Sequence, residues 1–264
     1  MSTARPHILV IRRRYLGDIV LLGSVLRNLR LHWPDAHLSV LVEPAYADVL
    51  ALNPEVDQAL LLPRGLREWP GFLRRVRRER FTHVLDLDNT ETTAAVARLS
   101  GATFRLALHH GDSRIKLRRA YTHIVNDPAD EHEARSIAEY YLRVLSPLGV
   151  PIATREIRLV PKDADLAAMR RLVGATGRVL LVHPGSRSTW RVWPADRFAA
   201  LCDHAQDALG AQVVLVGGPG DAGMLGEIRR LARTHLLTPP GALPLPQFAA
   251  LAYLSAALLC HDSG

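Results

Sequence analysis

Residues 7–30 read HILVIRRRYLGDIVLLGSVLRNLR, and this stretch decides the fold class. An apolar run ends in three arginines, and Gly17 and Asp18 then precede apolar residues at helical spacing. This pattern predicts a buried strand over His7–Arg12 and an amphipathic helix over Ile19–Leu31. Asp18 is thereby placed in a strand-to-helix loop, where α/β proteins carry their binding sites.

The alternation of strands and helices continues through the first half of the chain. Further strands are predicted at His37–Val42, Asp57–Leu62, Thr82–Asp88 and Phe104–Leu108, and helices at Ala45–Leu52, Leu66–Arg80, Thr90–Leu99 and Glu131–Leu145. Such repeats predict right-handed crossovers and a parallel sheet that is covered on both faces.

A proline-rich segment, SPLGVPIATREIRLVPKD at residues 146–163, indicates a connection between domains, after which the alternation restarts. Strands are predicted at Arg178–Val182, Gln212–Val216, near Leu236 and at Ala256–Cys260, with helices at Ala195–Leu209, Ala222–Ala232 and Pro246–Leu254. We therefore predict an α/β protein with two Rossmann-like domains, residues 1–160 and 161–264.

The second domain is predicted to be incomplete. Its last strand runs into HDSG, and no helix follows. The domain then has too few crossovers to cover both faces of its sheet. We expect the chain to be a truncated version of a longer protein.

The composition is that of an ordinary globular protein. Of 264 residues, 48% are hydrophobic and 22% are charged. No apolar run reaches the roughly 18 residues of a membrane-spanning helix, and the N-terminus has no signal-peptide pattern. Cys202 and Cys260 form no CxxC motif, which favours a reduced, cytoplasmic protein without structural zinc.

The net charge is +7, and much of it lies in two patches, residues 64–81 and residues 105–123. Clusters of arginine suit phosphates, an anionic membrane surface or nucleic acid. The simpler interpretation of any single arginine is a solvated helix face.

Three loops at strand ends of the second half carry glycines, and two of them also carry hydroxyl groups. In HPGSRSTWRVWP (residues 183–194), Gly185 lets the backbone approach an anion, Ser186 and Ser188 offer hydroxyl groups, and Arg191 offers a guanidinium suited to phosphate. Trp193, in the same loop, is interpreted as a packing anchor for the helix that follows.

The other two loops are VVLVGGPGD (residues 213–221) and HDSG (residues 261–264). The first matches neither GxGxxG nor a loop ending in GK[ST], and alone it predicts a tight turn. The second can hold a phosphate through backbone N–H groups. Together the three loops predict a nucleoside-diphosphate site.

Asp18 has two interpretations on local sequence alone. It fits the N-cap of a helix that begins at Ile19, and aspartate is common there. Catalysis is the alternative, and a single residue can do both.

The ordered set of motifs resembles one family. Residues 8–63, beginning ILVIRRRYLGD, resemble the N-terminal half of glycosyltransferase family 9, the ADP-heptose:lipopolysaccharide heptosyltransferases. LLVHPGSRSTWRVWPADRFAAL, VVLVGGPGD and HDSG resemble its C-terminal motifs in the same order. The resemblance covers essentially the whole chain. It implies the GT-B fold, with an N-terminal acceptor-side domain and a C-terminal nucleotide-sugar domain.

The resemblance also implies an activity. It is an inverting transfer of heptose from ADP-heptose to a lipopolysaccharide core acceptor, without metal or other cofactor. Asp18 matches the general base that takes the proton of the acceptor hydroxyl. The donor-binding residues implied are Ser186, Ser188, Arg191, Asp262, Ser263 and Gly264. Positive groups and N–H dipoles must then neutralise the departing diphosphate.

Three residues depart from the family pattern. Arg14 stands where an aspartate is common, Ser24 replaces a frequent proline, and His261 replaces asparagine. These changes affect the identity of donor and acceptor more than the fold. The predicted truncation in turn puts the activity of this chain in doubt.

The acceptor side is expected in the first domain, where a phosphorylated, lipid-linked oligosaccharide meets basic residues. The residues implied are Arg14, Arg118, Arg119 and His132. The expected location is cytoplasmic, peripheral to the anionic inner membrane. Trp69 and Phe72 in the basic helix either enter the headgroup zone or pack on the sheet.

Two other functions remain open: a GT-B transferase or epimerase that uses another nucleotide sugar, and a basic nucleic-acid-binding protein. The latter lacks a helix-turn-helix, an RRM-type aromatic motif or a zinc finger, so no nucleic acid is expected as a partner. The spacings of His109, His110, His123 and His132 match no standard zinc site.

Overall fold

The computed structural model describes residues 5–111, 115–127, 136–174, 177–186 and 189–261. The chain divides into two compact units, Met1–Val160 and Pro161–Gly264. Each is a parallel sheet with helices packed against it.

The first unit is built on a six-stranded parallel sheet. Its strands are β1 His7–Ile11, β2 His37–Val42, β3 Gln58–Leu61, β4 His83–Asp86, β5 Phe104–His110 and β6 His123–Asp127. Their order is β3-β2-β1-β4-β5-β6, and every pair is parallel. Strand β6 is not predicted from the sequence, because its apolar content is limited to Ile124 and Val125. An edge strand needs less apolar surface than a central one.

The helices of this unit are α1 Leu16–Leu21, α2 Gly23–His32, α3 Ala47–Leu50, α4 Trp69–Arg78, α5 Glu91–Ser100 and α6 Ile137–Leu142. Short 3₁₀ helices lie at Pro44–Tyr46, Leu66–Glu68, Arg118–Ala120 and Arg143–Leu148. The helix predicted over 19–31 begins earlier and is divided at Leu22. The helix predicted over 131–145 is α-helical only in α6, because a 3₁₀ helix containing Pro147 follows; residues 131–135 lie outside the described residues.

Both faces of this sheet are buried. Leu9 and Ile11 of β1 pack with Val76 of α4 and Val96 of α5. Because side chains alternate along a strand, Ile8 and Val10 point to the opposite face, and both are fully buried. The near-continuous apolar run of β1 follows from this double cover.

The second unit holds β7 Val179–His183, β8 Gln212–Leu215 and β9 Ala257–Cys260, in the order β8-β7-β9. Its helices are α7 Asp163–Val173, α8 Ala195–Asp207, α9 Ala222–Leu231 and α10 Leu245–Leu254, with 3₁₀ helices at Thr189–Arg191 and Pro219–Asp221. The strand predicted near Leu236 is reduced to one parallel bridge between Leu237 and Val214.

The prediction that this sheet has too few helices to cover both faces is only partly correct: helices cover both faces of β7 and β8, whereas β9 is largely exposed. Helix α7, which the sequence analysis missed, buries Met169 and Val173 beside Leu251 of α10 on one face. Helices α8 and α9 bury Phe198 and Ile228 on the other. The missed signal was the i, i+3, i+7 spacing of Leu166, Met169 and Val173 directly after the proline-rich segment. Strand β9 is an edge strand with Leu258 46% exposed.

Each sheet reverses its strand order once, and this locates its candidate site. In the first unit the chain runs from β1 to β2 and β3, then returns to place β4 on the other side of β1. In the second it places β9 on the far side of β7 from β8. Open α/β sheets bind ligands at the carboxyl ends of the strands that flank such a reversal.

Candidate functional site

Asp88 joins the carboxyl ends of β1 and β4 at the reversal point of the first unit. Its carboxylate accepts hydrogen bonds from Arg12 Nη1 at 3.1 Å, from the Arg13 backbone N–H at 2.8 Å and from Arg13 Nε at 3.0 Å. The Asp88 side chain is only 7% exposed. Two of the three consecutive arginines are thus oriented inward by one carboxylate.

Asp18 lies beside this pair, in the first turn of α1. The prediction that it is an N-cap is wrong, because the helix begins at Leu16 and Tyr15 occupies the N-cap. Asp18 is the third helical residue, and its Oδ2 accepts the Tyr15 backbone N–H at 3.0 Å. The carboxylate therefore still satisfies a free donor at the helix start, as the third residue of a capping box does.

The other carboxylate oxygen of Asp18 faces the interior. Oδ1 accepts the hydroxyl of Tyr141 at 2.7 Å and lies 3.0 Å from Arg12 Nη2. The Asp18 side chain remains 24% exposed. Asp18 thus combines a capping contact with access to solvent.

The surroundings of Asp18 favour its ionised form. Burial would raise the pKa of this carboxyl, but the hydrogen bonds from Tyr15 and Tyr141 and the charge of Arg12 outweigh it and hold the pKa below its ordinary value. Asp18 is therefore a carboxylate at neutral pH, which is the form that can accept a proton.

A cavity of about 370 Å³ opens at the carboxyl ends of β1, β2 and β3. It is lined by Arg13, Glu43, Pro44, Ala45, Leu62, Pro63, Arg64, Trp69 and Thr92. Arg13 Nη1 lies 3.7 Å from Glu43 Oε1 at its wall. Guanidinium groups, a carboxylate and an indole ring together suit a hydroxylated, anionic ligand.

In the second unit, the loop after β7 meets the end of β9. The Trp193 backbone N–H donates to His261 Nε2 at 2.9 Å. The rings of Trp193 and His261 both contact Phe198 of α8, at 5.1 and 5.3 Å between centroids. The interpretation of Trp193 as a packing anchor is confirmed.

Asp221 is a residue of this region that the sequence analysis missed. Its Oδ2 accepts the Gly218 N–H at 2.7 Å. A Cβ built on Gly185 would lie 2.3 Å from that same oxygen, and one on Gly217 would lie 2.9 Å from Asp221 Cβ. Gly185 and Gly217 are therefore required by the close approach of Asp221. The sequence signal for Asp221 was an acidic residue at the end of a glycine-rich loop, directly before a predicted helix.

Comparison with known proteins identifies the family. Residues 70–264, more than half of the chain, match the profile of glycosyltransferase family 9 (heptosyltransferase). The chain belongs to glycosyltransferase family 9. It is accordingly a glycosyltransferase, and its two Rossmann-like units with parallel sheets confirm the predicted GT-B class of fold.

Relatives of this family 9 chain include lipopolysaccharide heptosyltransferase 3 of Escherichia coli, which is 25% identical over 253 residues, or 90% of this chain and 72% of the relative. A glycosyl transferase family 9 structure from Veillonella parvula DSM 2008 superposes with a TM-score of 0.86 at 24% identity, over 100% of this chain and 77% of the other. E. coli ADP-heptose lps heptosyltransferase II superposes with a TM-score of 0.79 at 22% identity, over 97% and 79%.

Two of the predicted donor residues of this family 9 chain are described. Ser186 is half-buried in the loop after β7. Arg191 is exposed, with its guanidinium 4.6 Å from the centre of the Trp190 ring. The other predicted donor residues, Ser188, Asp262, Ser263 and Gly264, lie outside the described residues.

The predicted acceptor residues that the structure describes lie at two places in the first unit. Arg14 is exposed, and its guanidinium lies 5.3 Å from the centre of the Tyr15 ring. Arg118 and Arg119 line a separate cavity of about 880 Å³ beside α5. His132 lies outside the described residues.

Trp69 and Phe72 of the basic helix α4 pack against the core cluster of the first sheet. This agrees with the interpretation that they pack on the sheet. Trp69 additionally lines the 370 Å³ cavity. Within the described residues, no helix has the length and apolar character needed to cross a membrane. In the same part of the chain, no three His, Cys, Asp or Glu side chains are grouped so as to hold a metal ion.

Proposed function

We propose that this family 9 glycosyltransferase transfers heptose from ADP-heptose to a lipopolysaccharide core acceptor, with inversion at C1 and without a metal ion or other cofactor. The observation that carries the proposal is the ionised, partly exposed carboxylate of Asp18 at the reversal point of the first sheet. The names of the relatives support the choice of sugar, since they are heptosyltransferases, one of them described by its ADP-heptose donor.

Asp18 acts as the general base. Its carboxylate accepts the proton of an acceptor hydroxyl while that oxygen forms a bond to C1 of the donor sugar. The bond from C1 to the diphosphate oxygen breaks, and the leaving ADP takes that electron pair. Attack opposite to the leaving group inverts the configuration at C1.

The leaving diphosphate gains negative charge as the bond breaks. The proposal assigns its stabilisation to the loop after β7, through the guanidinium of Arg191, the hydroxyls of Ser186 and Ser188, and the Asp262–Gly264 segment. Arginine suits this role because its planar guanidinium matches two phosphate oxygens at once.

The acceptor is assigned to the first unit. The 370 Å³ cavity shares Arg13 with the Asp88 junction beside Asp18, and its Trp69 ring and Glu43 carboxylate suit a sugar with hydroxyl groups. The larger cavity combines Arg98, Lys116, Arg118 and Arg119 with apolar side chains, including Leu99 and Leu117.

The larger cavity therefore suits a phosphorylated, lipid-linked acceptor. Its cations also suit the anionic surface of a membrane. The proposal places the enzyme in the cytoplasm, peripheral to the inner membrane, with no role for nucleic acid.

A donor screen tests the proposed function. Purified chain is incubated with a lipopolysaccharide core acceptor and ADP-heptose, a UDP-sugar or a GDP-sugar, and the glycosylated product is detected by mass spectrometry. ADP should raise Tm more than UDP or GDP does, and only ADP-heptose should give product with the inverted anomer. If product forms only from a UDP-sugar or a GDP-sugar, the proposal of ADP-heptose as the donor is wrong. A product with the retained anomer would overturn the inverting mechanism.

A further inference from the structure

Asp18 receives three hydrogen-bond donors, two from the loop after β1 and one from α6. Tyr15 donates its backbone N–H to Oδ2, and the Tyr141 hydroxyl and Arg12 Nη2 both approach Oδ1. An ionised carboxylate offers about four lone-pair sites. Both sites of Oδ1 are thus occupied, and one site of Oδ2 is left, on a side chain that is partly exposed.

Tyr141 is the one of these donors that comes from a distant part of the chain. It lies 123 residues from Asp18 along the chain, on α6, and is only 1% exposed. The guanidinium of Arg12 lies 5.4 Å from the centre of its ring, so the ring is packed against the second Oδ1 donor. A buried ring with one hydroxyl at its tip fixes an atom position far better than a surface side chain does.

We propose that Tyr141 is a positioning residue for the sugar-transfer reaction: together with Arg12 it clamps Oδ1 of Asp18, so that the remaining lone pair of Oδ2 is directed at the acceptor hydroxyl. This inference rests on the proposed function of Asp18 as the base. Tyr141 acts through Asp18 and touches no substrate.

The Tyr141 hydroxyl is suited to remain a donor throughout the reaction. Burial, only partly offset by Arg12, and the hydrogen bond to Asp18 raise its pKa above the ordinary tyrosine value. It therefore stays protonated at any pH at which the protein works. It donates to the carboxylate before proton transfer, and its bond is weakened when Asp18 becomes neutral.

The charged and titratable groups around the clamp come from each neighbouring element. Arg12 follows β1, Asp88 follows β4, and Tyr141 belongs to α6. Tyr15 precedes α1, and its ring is approached by Arg14 and, at 6.5 Å between ring centres, by Tyr46, which precedes α3. Tyr141 and Arg12 are the two of these groups that touch Oδ1.

The test compares Tyr141→Phe with Tyr140→Phe. Both replacements remove one hydroxyl from a buried ring of α6, and of the two rings it is Tyr141 whose hydroxyl donates to Asp18 Oδ1. The ¹³C NMR titration of aspartate-labelled protein, with the Asp18 signal assigned from Asp18→Asn, reports the carboxyl directly. We expect the pKa of Asp18 to rise in Tyr141→Phe and to stay unchanged in Tyr140→Phe.

Transfer kinetics supply the second readout. We expect Tyr141→Phe to lower kcat about tenfold, the scale of one hydrogen bond to a charged group, with KM for ADP-heptose unchanged. An Asp18 pKa that moves no more in Tyr141→Phe than in Tyr140→Phe, or an unchanged kcat, would overturn the inference while wild-type transfer still supports the proposed function. Absence of transfer by the wild type from every donor would instead overturn the proposed function, and the titration would still decide whether Tyr141 holds Asp18.

Discussion

Three consecutive arginines in one loop have three different environments. Arg12 points inward between Asp18 and Asp88, Arg13 binds Asp88 and lines a cavity, and Arg14 is exposed over Tyr15. The sequence RRR does not distinguish them, because the distinction depends on Asp88, which lies 75 residues from Arg13 in the loop after β4. The guanidinium of Arg12 therefore pairs with both carboxylates of the site, Asp18 and Asp88.

Replacing Arg12 should therefore lower the free energy of unfolding. Arg12→Leu leaves the nearly buried Asp88 without one of its charged partners, so we expect the free energy of unfolding to fall by about 3 kcal/mol in urea titrations. Arg75→Leu, which breaks an exposed i, i+4 pair with Glu79, should cost less than about 1 kcal/mol. Equal losses in the two variants would contradict the inward role of Arg12.

At the scale of the elements, the amino-terminal edge of the first sheet carries an array of aromatic and imidazole rings. His83 at the start of β4 lies between Trp33 and Phe104, at 5.7 and 5.3 Å between ring centres, and Phe104 stacks on His123. Burial lowers the pKa of His83 below its ordinary value of 6.5. The folded protein thus prefers this imidazole neutral.

This array predicts a loss of stability in mild acid. The pKa of His83 is lower in the folded protein than in the unfolded chain, so the neutral imidazole stabilises the folded state fully above pH 6.5. This stabilisation is lost as the pH falls from 6.5 toward the pKa of His83 in the folded protein. We expect His83→Phe, which keeps a ring in the array, to lose less stability than wild type between pH 7 and pH 5 in urea titrations. His204→Phe, at an exposed position of α8, should behave as wild type, and a His83→Phe profile that also follows wild type would be evidence against the interpretation.

The sequence predicted those elements whose pattern is strong in a single segment. The apolar runs of β1 and β2 gave strands within one residue of their observed bounds. Strand β6 and helix α7 were missed because one is a polar edge strand and the other follows three prolines. The bond from Tyr141 to Asp18 spans 123 residues, and no local pattern reports such a pair.

At the scale of the whole molecule, the two cysteines have different surroundings. Cys202 is buried in α8, and burial raises the pKa of its thiol to about 11. Cys260 is exposed on the edge strand β9. The difference reflects the position of each element in the second unit.

Thiol labelling therefore tests the folded state of that unit. At pH 7.5 we expect one thiol per chain to react with Ellman's reagent in the native protein and two in urea, because only the thiolate reacts and Cys202 is both buried and protonated. Cys260→Ser should abolish the native reaction. Rapid reaction of two thiols without denaturant would show that α8 does not pack as described.

The proposed function depends most directly on one carboxylate of the first unit, that of Asp18. Asp18→Asn keeps an oxygen that can accept the Tyr15 N–H and so retains the helix start, but it removes the base. Asp48→Asn is the matched control, since Asp48 is an exposed aspartate in the first turn of α3.

The decisive measurement is kcat for heptose transfer from ADP-heptose by these two variants. We expect Asp18→Asn to lower kcat by about 10² to 10⁴ with donor affinity unchanged, and Asp48→Asn to match wild type. Transfer by Asp18→Asn at the wild-type rate would contradict the assignment of Asp18 as the base.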